Sequence, residues 1–225
     1  MTKKSIKSVL NSSDWLLKLK AVRNESYLIN ELQTIKILEC DGFTTIKALM
    51  ERSDFSFSPL YISLGLKSFN SSVRRLFYGN SNVNLTPTQY DIGLNDSDKK
   101  VVIACSKRHD LSLTDLQLYN GLCDPELCPY FLKRAEIYTF KPTDEQIKNL
   151  LALPFAGHLL IIFRDSNYIS NEENLEIGQK HTDANICDLF NSTMLSRYER
   201  HKINAALGHI INNNVHDNNH LTQAL

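Results

Sequence analysis

Between Asp14 and Glu39 the apolar residues fall at Leu16, Leu19, Val22, Leu28, Leu32, Ile35 and Leu38. Steps of three and four place them on one face of a helix, and Ser13 or Asp14 offers a capping oxygen at its start. The pattern breaks at Asp41-Gly42. Phe43 to Met50 reads as a strand or a short helix, with Thr44, Thr45 and Ile46 favouring the strand. Ser53 to Pro59 is turn-like, Leu60 to Tyr78 fits either period, and Gly79 to Pro87 reads as a polar loop. Lys100 to Cys105 (KVVIAC) predicts a short buried strand.

Further along, Leu111 to Leu122 reads as a helix, Cys123 to Pro129 as a loop and Ile137 to Phe140 as a strand. Thr143 caps a helix start whose Asp144 and Glu145 suit the dipole. Leu150 to Phe155 and His158 to Arg164 predict two strands of a hairpin around Ala156-Gly157. Ser170 with Glu173 has the spacing of a capping box. It opens one long helix, with Ile186 or Cys187, Phe190, Met194, Tyr198 and Ile203 in heptad-like rhythm, running to about Ile211. The tail beyond it is polar. No internal repeat is read from the sequence. The organisation expected is a flexible segment 1–13, one α/β domain over 14–211 and a polar tail 212–225.

Composition changes this picture little. Apolar residues make up 42% of the 225-residue chain and charged residues 22%, an ordinary globular balance. Lys plus Arg equals Asp plus Glu at 25 each, which counts against gripping nucleic acid through its phosphates. Five cysteines without a secretory leader point to a reducing, cytoplasmic setting. The longest nearly unbroken apolar run, Leu150 to Phe163, carries Pro154, Gly157 and His158 and is too short to cross a bilayer.

The order of parts in the last third resembles a GAF domain, a small ligand-binding α/β module of signalling proteins. Leu151-Ala152-Leu153-Pro154 looks like its strand ending in proline, and Gly157 to Ile162 like the strand that follows. Ile169 to Glu173 then opens an exit helix reaching Tyr198-Glu199-Arg200. The homoserine-lactone sensor domains of quorum-sensing regulators share that architecture, and Gly42-Phe43 is similar to their early segment. The resemblance implies a central, mainly antiparallel sheet flanked by an N-terminal and a long C-terminal helix. It also implies a pocket above the sheet, for which Phe43, Phe57, Tyr61, Cys105, Tyr130, Tyr138 and Phe155 are the candidate lining. Two such terminal helices pair readily with a second copy, so a homodimer is expected. The function implied is regulatory: binding a small molecule or protein and passing a signal through the exit helix to a downstream protein.

Other chemistry is sparse. Ser72 to Arg75, preceded by Leu64-Gly65-Leu66, resembles the turn and second helix of a helix-turn-helix. Arg74 and Arg75 would then meet DNA phosphates, as in a transcription regulator. A third reading is an interaction or adaptor protein without a ligand. Cys123 and Cys128 flank four residues, but no second ligand pair completes a zinc site. Lys107, Arg108 and His109 stand near Cys105 as thiolate-stabilising cations. His209 invites comparison with the phosphoacceptor box of histidine kinases, without the acidic residue that usually follows. No P-loop, GxSxG or HExxH signature occurs, so neither an enzyme, a metal nor a cofactor is predicted.

Overall fold

The structure, a computed structural model, describes residues 4–5, 7–165 and 168–205. Its architecture is all-helical, which overturns the α/β, GAF-like expectation. The described residues hold fourteen α-helices, and their only strands are β1 (Lys4–Ser5) and β2 (Tyr27–Leu28), a two-residue parallel ladder. Among the described residues there is no central sheet for a pocket to lie above. The chain divides into two compact units, Met1–Ser112 and Leu113–Leu225.

The first unit contains α1 (Lys7–Leu10), α2 (Trp15–Arg23), α3 (Glu31–Cys40), α4 (Phe43–Met50), α5 (Pro59–Leu66), α6 (Ser71–Tyr78), α7 (Pro87–Leu94) and α8 (Lys99–Ser106). The helix expected over 14–39 is therefore two helices. Asp14 caps the first, accepting from the backbone N–H groups of Leu16 and Leu17, and Asn30 caps the second in a full capping box with Gln33. The two segments expected as strands, Phe43 to Met50 and KVVIAC, are helices α4 and α8. In α8, Val101, Val102, Cys105 and Ser106 are buried, a spacing of one helical face. Asp98 caps its start at 2.8 Å from the Lys100 N–H. The helix penalty of a β-branched residue, under ~1 kcal/mol, is outweighed by the ~1.5–3 kcal/mol gained when such a side chain is buried.

Contrary to the expectation of no repeat, the caps reveal one. Asn30, Ser58, Thr86 and Thr114 each cap a helix and stand 28 residues apart, and Thr143 and Asn171 continue the series with one extra residue before Thr143. Asp14, Gly42, Asn70 and Asp98 start the alternate helices at the same interval. We call the first set A helices and the second B helices. Register then fixes burial. The residue four past each A cap is buried at Thr34, Ile62, Tyr90, Leu118, Ile147 and Leu175. Leucine stands eight past the cap at Leu38, Leu66, Leu94, Leu122 and Leu151.

Seven past the cap, Gly65, Gly93, Gly121 and Gly178 recur. A methyl group on any of them would fall within 2.2–2.4 Å of an aromatic ring: Phe77, Tyr78, Phe131 and Phe190 respectively. Glycine there lets each ring pack directly on the A-helix backbone. Within the first unit B helix packs on B helix, α2 with α4, α4 with α6 and α6 with α8, while α3 packs on α5. Each hairpin thus covers an apolar side that its neighbour cannot bury alone.

The second unit contains α9 (Asp115–Leu122), α10 (Cys128–Phe131), α11 (Asp144–Leu151), α12 (Leu160–Asp165), α13 (Glu172–Gln179) and α14 (Ala184–Leu189). The strand expected at Ile137–Phe140 is replaced by a 3-10 turn over Ala135–Tyr138. The predicted hairpin around Ala156-Gly157 is the end of α11, a 3-10 turn over Ala156–Leu159 and α12. The long exit helix is also interrupted. Asn171, not Ser170, caps α13, and Asp183 caps α14 after a break at Lys180 to Asp183. A wider π turn over Phe190–Met194 follows, then helix over 195–205. The expected end at Ile211, and His209, lie outside the described residues.

Candidate interaction surface

Two buried arginines rigidify the first unit. Arg52 donates through Nη1 to the Val22 and Asn24 carbonyls (2.7 and 3.2 Å), through Nη2 to Tyr27 (2.9 Å), and holds Asp54 bidentately. Arg108 does the same two repeats on, with the carbonyls of Tyr78, Asn80 and Val83 and with Asp110. Both side chains stitch a B-helix end to the turn of the preceding repeat. They are structural cations, unavailable as a binding patch.

On this frame the N-terminal edges of three A helices expose a leucine at the same register position, which Thr88 occupies in α7. Two residues past the cap, Leu32 is 77% exposed and Leu60 45% exposed, and Leu116 of the second unit repeats the pattern. Beside Leu32 lies a cleft of ≈ 280 Å³ lined by Leu10, Asn11, Asn30, Gln33 and Lys36. Lys36 Nζ donates to Asn11 Oδ1 at 2.6 Å across it. Farther along the same unit, a cleft of ≈ 240 Å³ between the starts of α5 and α7 is lined by Phe57, Pro59, Ile62, Asn84, Thr86 and Gln89. The caps fix both edges. Asn30 and Thr86 each exchange hydrogen bonds with the glutamine three residues on, at 2.9–3.2 Å.

The residues proposed for a sheet-borne pocket are distributed differently. In the first unit Phe55 stacks on Tyr61 at 5.9 Å and meets Phe57 edge-on at 5.1 Å, and Phe57 reaches Phe77 at 6.2 Å. Phe57 and Tyr61 therefore belong to one half-buried aromatic cluster at the start of α5. Phe43 is half-buried in the first turn of α4. Cys105 is buried in α8, its thiol donating to the Tyr90 carbonyl at 3.5 Å. In the second unit Tyr130 is half-buried in α10, Phe155 is half-buried before the 3-10 turn, and Tyr138 ends the other 3-10 turn. The side chain of Tyr138 lies outside the described set.

Arg74 and Arg75 do not form a paired phosphate clamp. Arg74 holds Asp96 bidentately at 2.7 and 2.8 Å and donates to the Ser68 and Phe69 carbonyls, while Arg75 is exposed. Hydrogen bonding from Arg74 holds the Asp96 carboxyl below the usual aspartate range. The thiols near each other in the second unit are poor nucleophiles. Burial pushes Cys123 up, and Cys128 up to about 11. Among the described residues, no group of three or more His, Cys, Asp or Glu is placed to hold a metal, and no helix is long and apolar enough to cross a membrane.

A third cleft, ≈ 450 Å³, lies in the second unit between Ile169 and the last helix, lined by Arg197, Arg200, His201 and Asn204. Arg197 donates to the Arg164 carbonyl at 2.7 Å, and Arg200 to that of Ser196 at 3.2 Å. Neither surface is legible in the sequence alone. Exposed leucines gain meaning only once the 28-residue register is aligned, and the Arg197–His201 cleft exists only once Ile169 and the last helix are brought together. No protein-family model, no curated protein and no solved structure matches this chain.

Proposed function

We propose that the protein is an interaction module built from helical hairpins, and that the A-helix edge of its first unit receives a segment of a partner protein. The observation that carries this reading is the pair Leu32 and Leu60. Both occupy the same register position on helices that pack against one another, and both are exposed, while the positions four and eight past the same caps are buried. A leucine kept in water at a repeated position adds nothing to the fold. Covering it against a partner returns ~25 cal/mol per Å² of apolar area. The interdigitated caps and the two arginine stitches hold that edge rigid, which limits the ordering cost of binding.

Affinity capture with the wild type, run beside Leu32→Glu/Leu60→Glu, tests the assignment. The expected result is a protein recovered by the wild type and lost with the variant, whose circular dichroism and melting temperature stay unchanged. A partner recovered equally well by both proteins removes the A-helix edge from consideration.

A small-molecule sensor is the second reading, and it rests on the Arg197–His201 cleft. Its guanidinium and imidazole groups call for an anionic ligand. A thermal-shift screen with nucleotides and dicarboxylates, repeated on Arg200→Ala, tests it. A ligand shift retained in that variant counts against the cleft. Nucleic acid is the weaker reading, since Arg74 is spent on Asp96 and the chain carries no net charge.

A further inference from the structure

We propose that His181 is a pH-sensitive latch in the second unit: its neutral ring ties the start of α14 to the end of α11, and protonation releases the α14 side. The ring is half-buried. Its Nε2 lies 3.0 Å from the carbonyl of Leu151, the last residue of α11, and its Nδ1 lies 2.9 Å from the backbone N of Asp183, the cap of α14. A carbonyl only accepts and an N–H only donates. Both contacts are therefore hydrogen bonds in one form of the ring alone, the neutral imidazole with its proton on Nε2. A second proton falls on Nδ1, where it meets the Asp183 N–H donor to donor. α14 leads through the π turn into the helix that carries Arg197 and Arg200, so acid acts at the root of that element.

The repeat shows that an acceptor at this place belongs to the turn. Ser68, Asp96 and Asp124 stand ten past their A caps, as His181 does. They accept from the backbone N–H groups of Asn70, Asp98 and Glu126 at 3.3, 2.8 and 2.8 Å. Cys40 and Leu153 hold the place in the other two repeats. Hydroxyl and carboxylate oxygens keep their lone pairs at neutral and mildly acid pH, whereas imidazole changes charge between about pH 5 and 8. The surrounding charges do not replace the lost acceptor. On α14 the Asp183 carboxylate accepts from the Asn185 and Ile186 N–H groups at 2.9 and 3.4 Å, Cys187 donates to the Gln179 carbonyl, and Asp188 is exposed. On α13 Lys180 pairs with Glu176, and on α11 Lys148 pairs with Glu173 at 2.5 Å. The 3-10 turn over Ala156–Leu159 brings Gly157 against the Asp183 carboxylate, and the side chain of His158 lies outside the described set. The Asp183 carboxylate and the partly negative end of α11 attract an imidazolium, so a charged ring keeps its hold on Leu151. Neither gives the Asp183 N–H a partner, because the carboxylate is turned to the N–H groups that follow it.

Amide exchange of the isotope-labelled full chain between about pH 5 and 8, corrected for the intrinsic effect of pH, tests the latch. At the acid end the Asp183 N–H is expected to exchange at least about fivefold faster, the worth of one hydrogen bond. In His181→Asn a carbonyl oxygen takes the place of Nδ1, as in the turns where Asn24 and Asn80 accept from the N–H groups of Ser26 and Asn82. The corrected Asp183 rate of that variant should not depend on pH. Should it misfold, His181→Asp, copying Asp96 and Asp124, supplies a second acceptor that keeps its lone pairs over the range. A wild-type rate that stays constant, or one that changes equally in the variant, overturns the proposal. So does nitrogen NMR at about pH 8 that finds the ring proton on Nδ1.

Discussion

Arg108 repeats, two hairpins along the chain, the backbone clasp made by Arg52: each guanidinium takes three carbonyls from the turn of the preceding repeat and an aspartate two residues ahead. Both are almost wholly buried. The clasp supplies donors to carbonyls at the ends of the B helices and in the turns after them, adding to the backbone N–H bonds that the Asn24 and Asn80 carbonyls already accept from Tyr27 and Val83. Between them Asn80 occupies the same register, its side chain accepting from the Asn82 N–H instead.

Removing the clasp should be costly. Arg108→Ala removes the guanidinium donors from the Tyr78, Asn80 and Val83 carbonyls, and a loss of about 3–5 kcal/mol is expected. Arg108→Lys should recover less than half, because an ammonium group cannot span the three acceptors in a plane. Asp110→Ala, at an exposed carboxylate, should cost under about 1 kcal/mol. Urea unfolding of the three variants checks the ranking.

The repeated glycines should tolerate no side chain. In Gly178→Ala the added carbon would sit 2.2 Å from the Phe190 ring, and a loss of at least about 1–3 kcal/mol is expected. Gly178→Ala/Phe190→Leu should be less destabilised than the sum of its single variants. Gly42 is the contrast. It caps α4 without a side-chain hydrogen bond, and nothing lies within 4 Å of a Cβ there. Gly42→Asn, copying Asn70 of the next repeat, should stabilise by a few tenths of a kcal/mol. Thermal denaturation reads both results.

Acid should loosen the second unit through Glu136. Hydrogen bonding from buried Arg134 lowers its carboxyl from 4.5 to about 2. A depressed carboxylate contributes stability that is complete above its unfolded value and is lost as pH falls through its folded value. The contribution should therefore fade from about pH 4.5 to about 2. Glu136→Gln should be less stable than wild type at neutral pH, with the gap closing over that window. A gap that stays constant with pH would show that the ion pair contributes nothing of its own.

Thiol reactivity should follow exposure. Cys40 is exposed, Cys123 half-buried, and Cys105 and Cys128 are buried. At pH 8, alkylation followed by mass spectrometry should label Cys40 first and Cys128 among the last, since burial raises the Cys128 thiol to about 11. Early labelling of Cys128 would mean that α10 opens far more readily than its packing implies.

The cap chemistry was legible in the sequence because it is local: Asp14 and Thr143 act within three residues of themselves, and both start helices where their side chains predict. The break at Asp41-Gly42 was legible for the same reason. What the sequence by itself did not decide was helix against strand for short apolar runs such as KVVIAC and Leu159 to Phe163, where eight residues or fewer suit either period. Tertiary packing decided it. Val101, Val102 and Cys105 lose their water against neighbouring hairpins only if they share a helical face. The repeat was present in the sequence throughout, in Leu38, Leu66, Leu94 and Leu122 and in the glycines one residue before the last three of them. It stayed hidden because its invariants are single residues whose common role, a ring seated on bare backbone, exists only between helices.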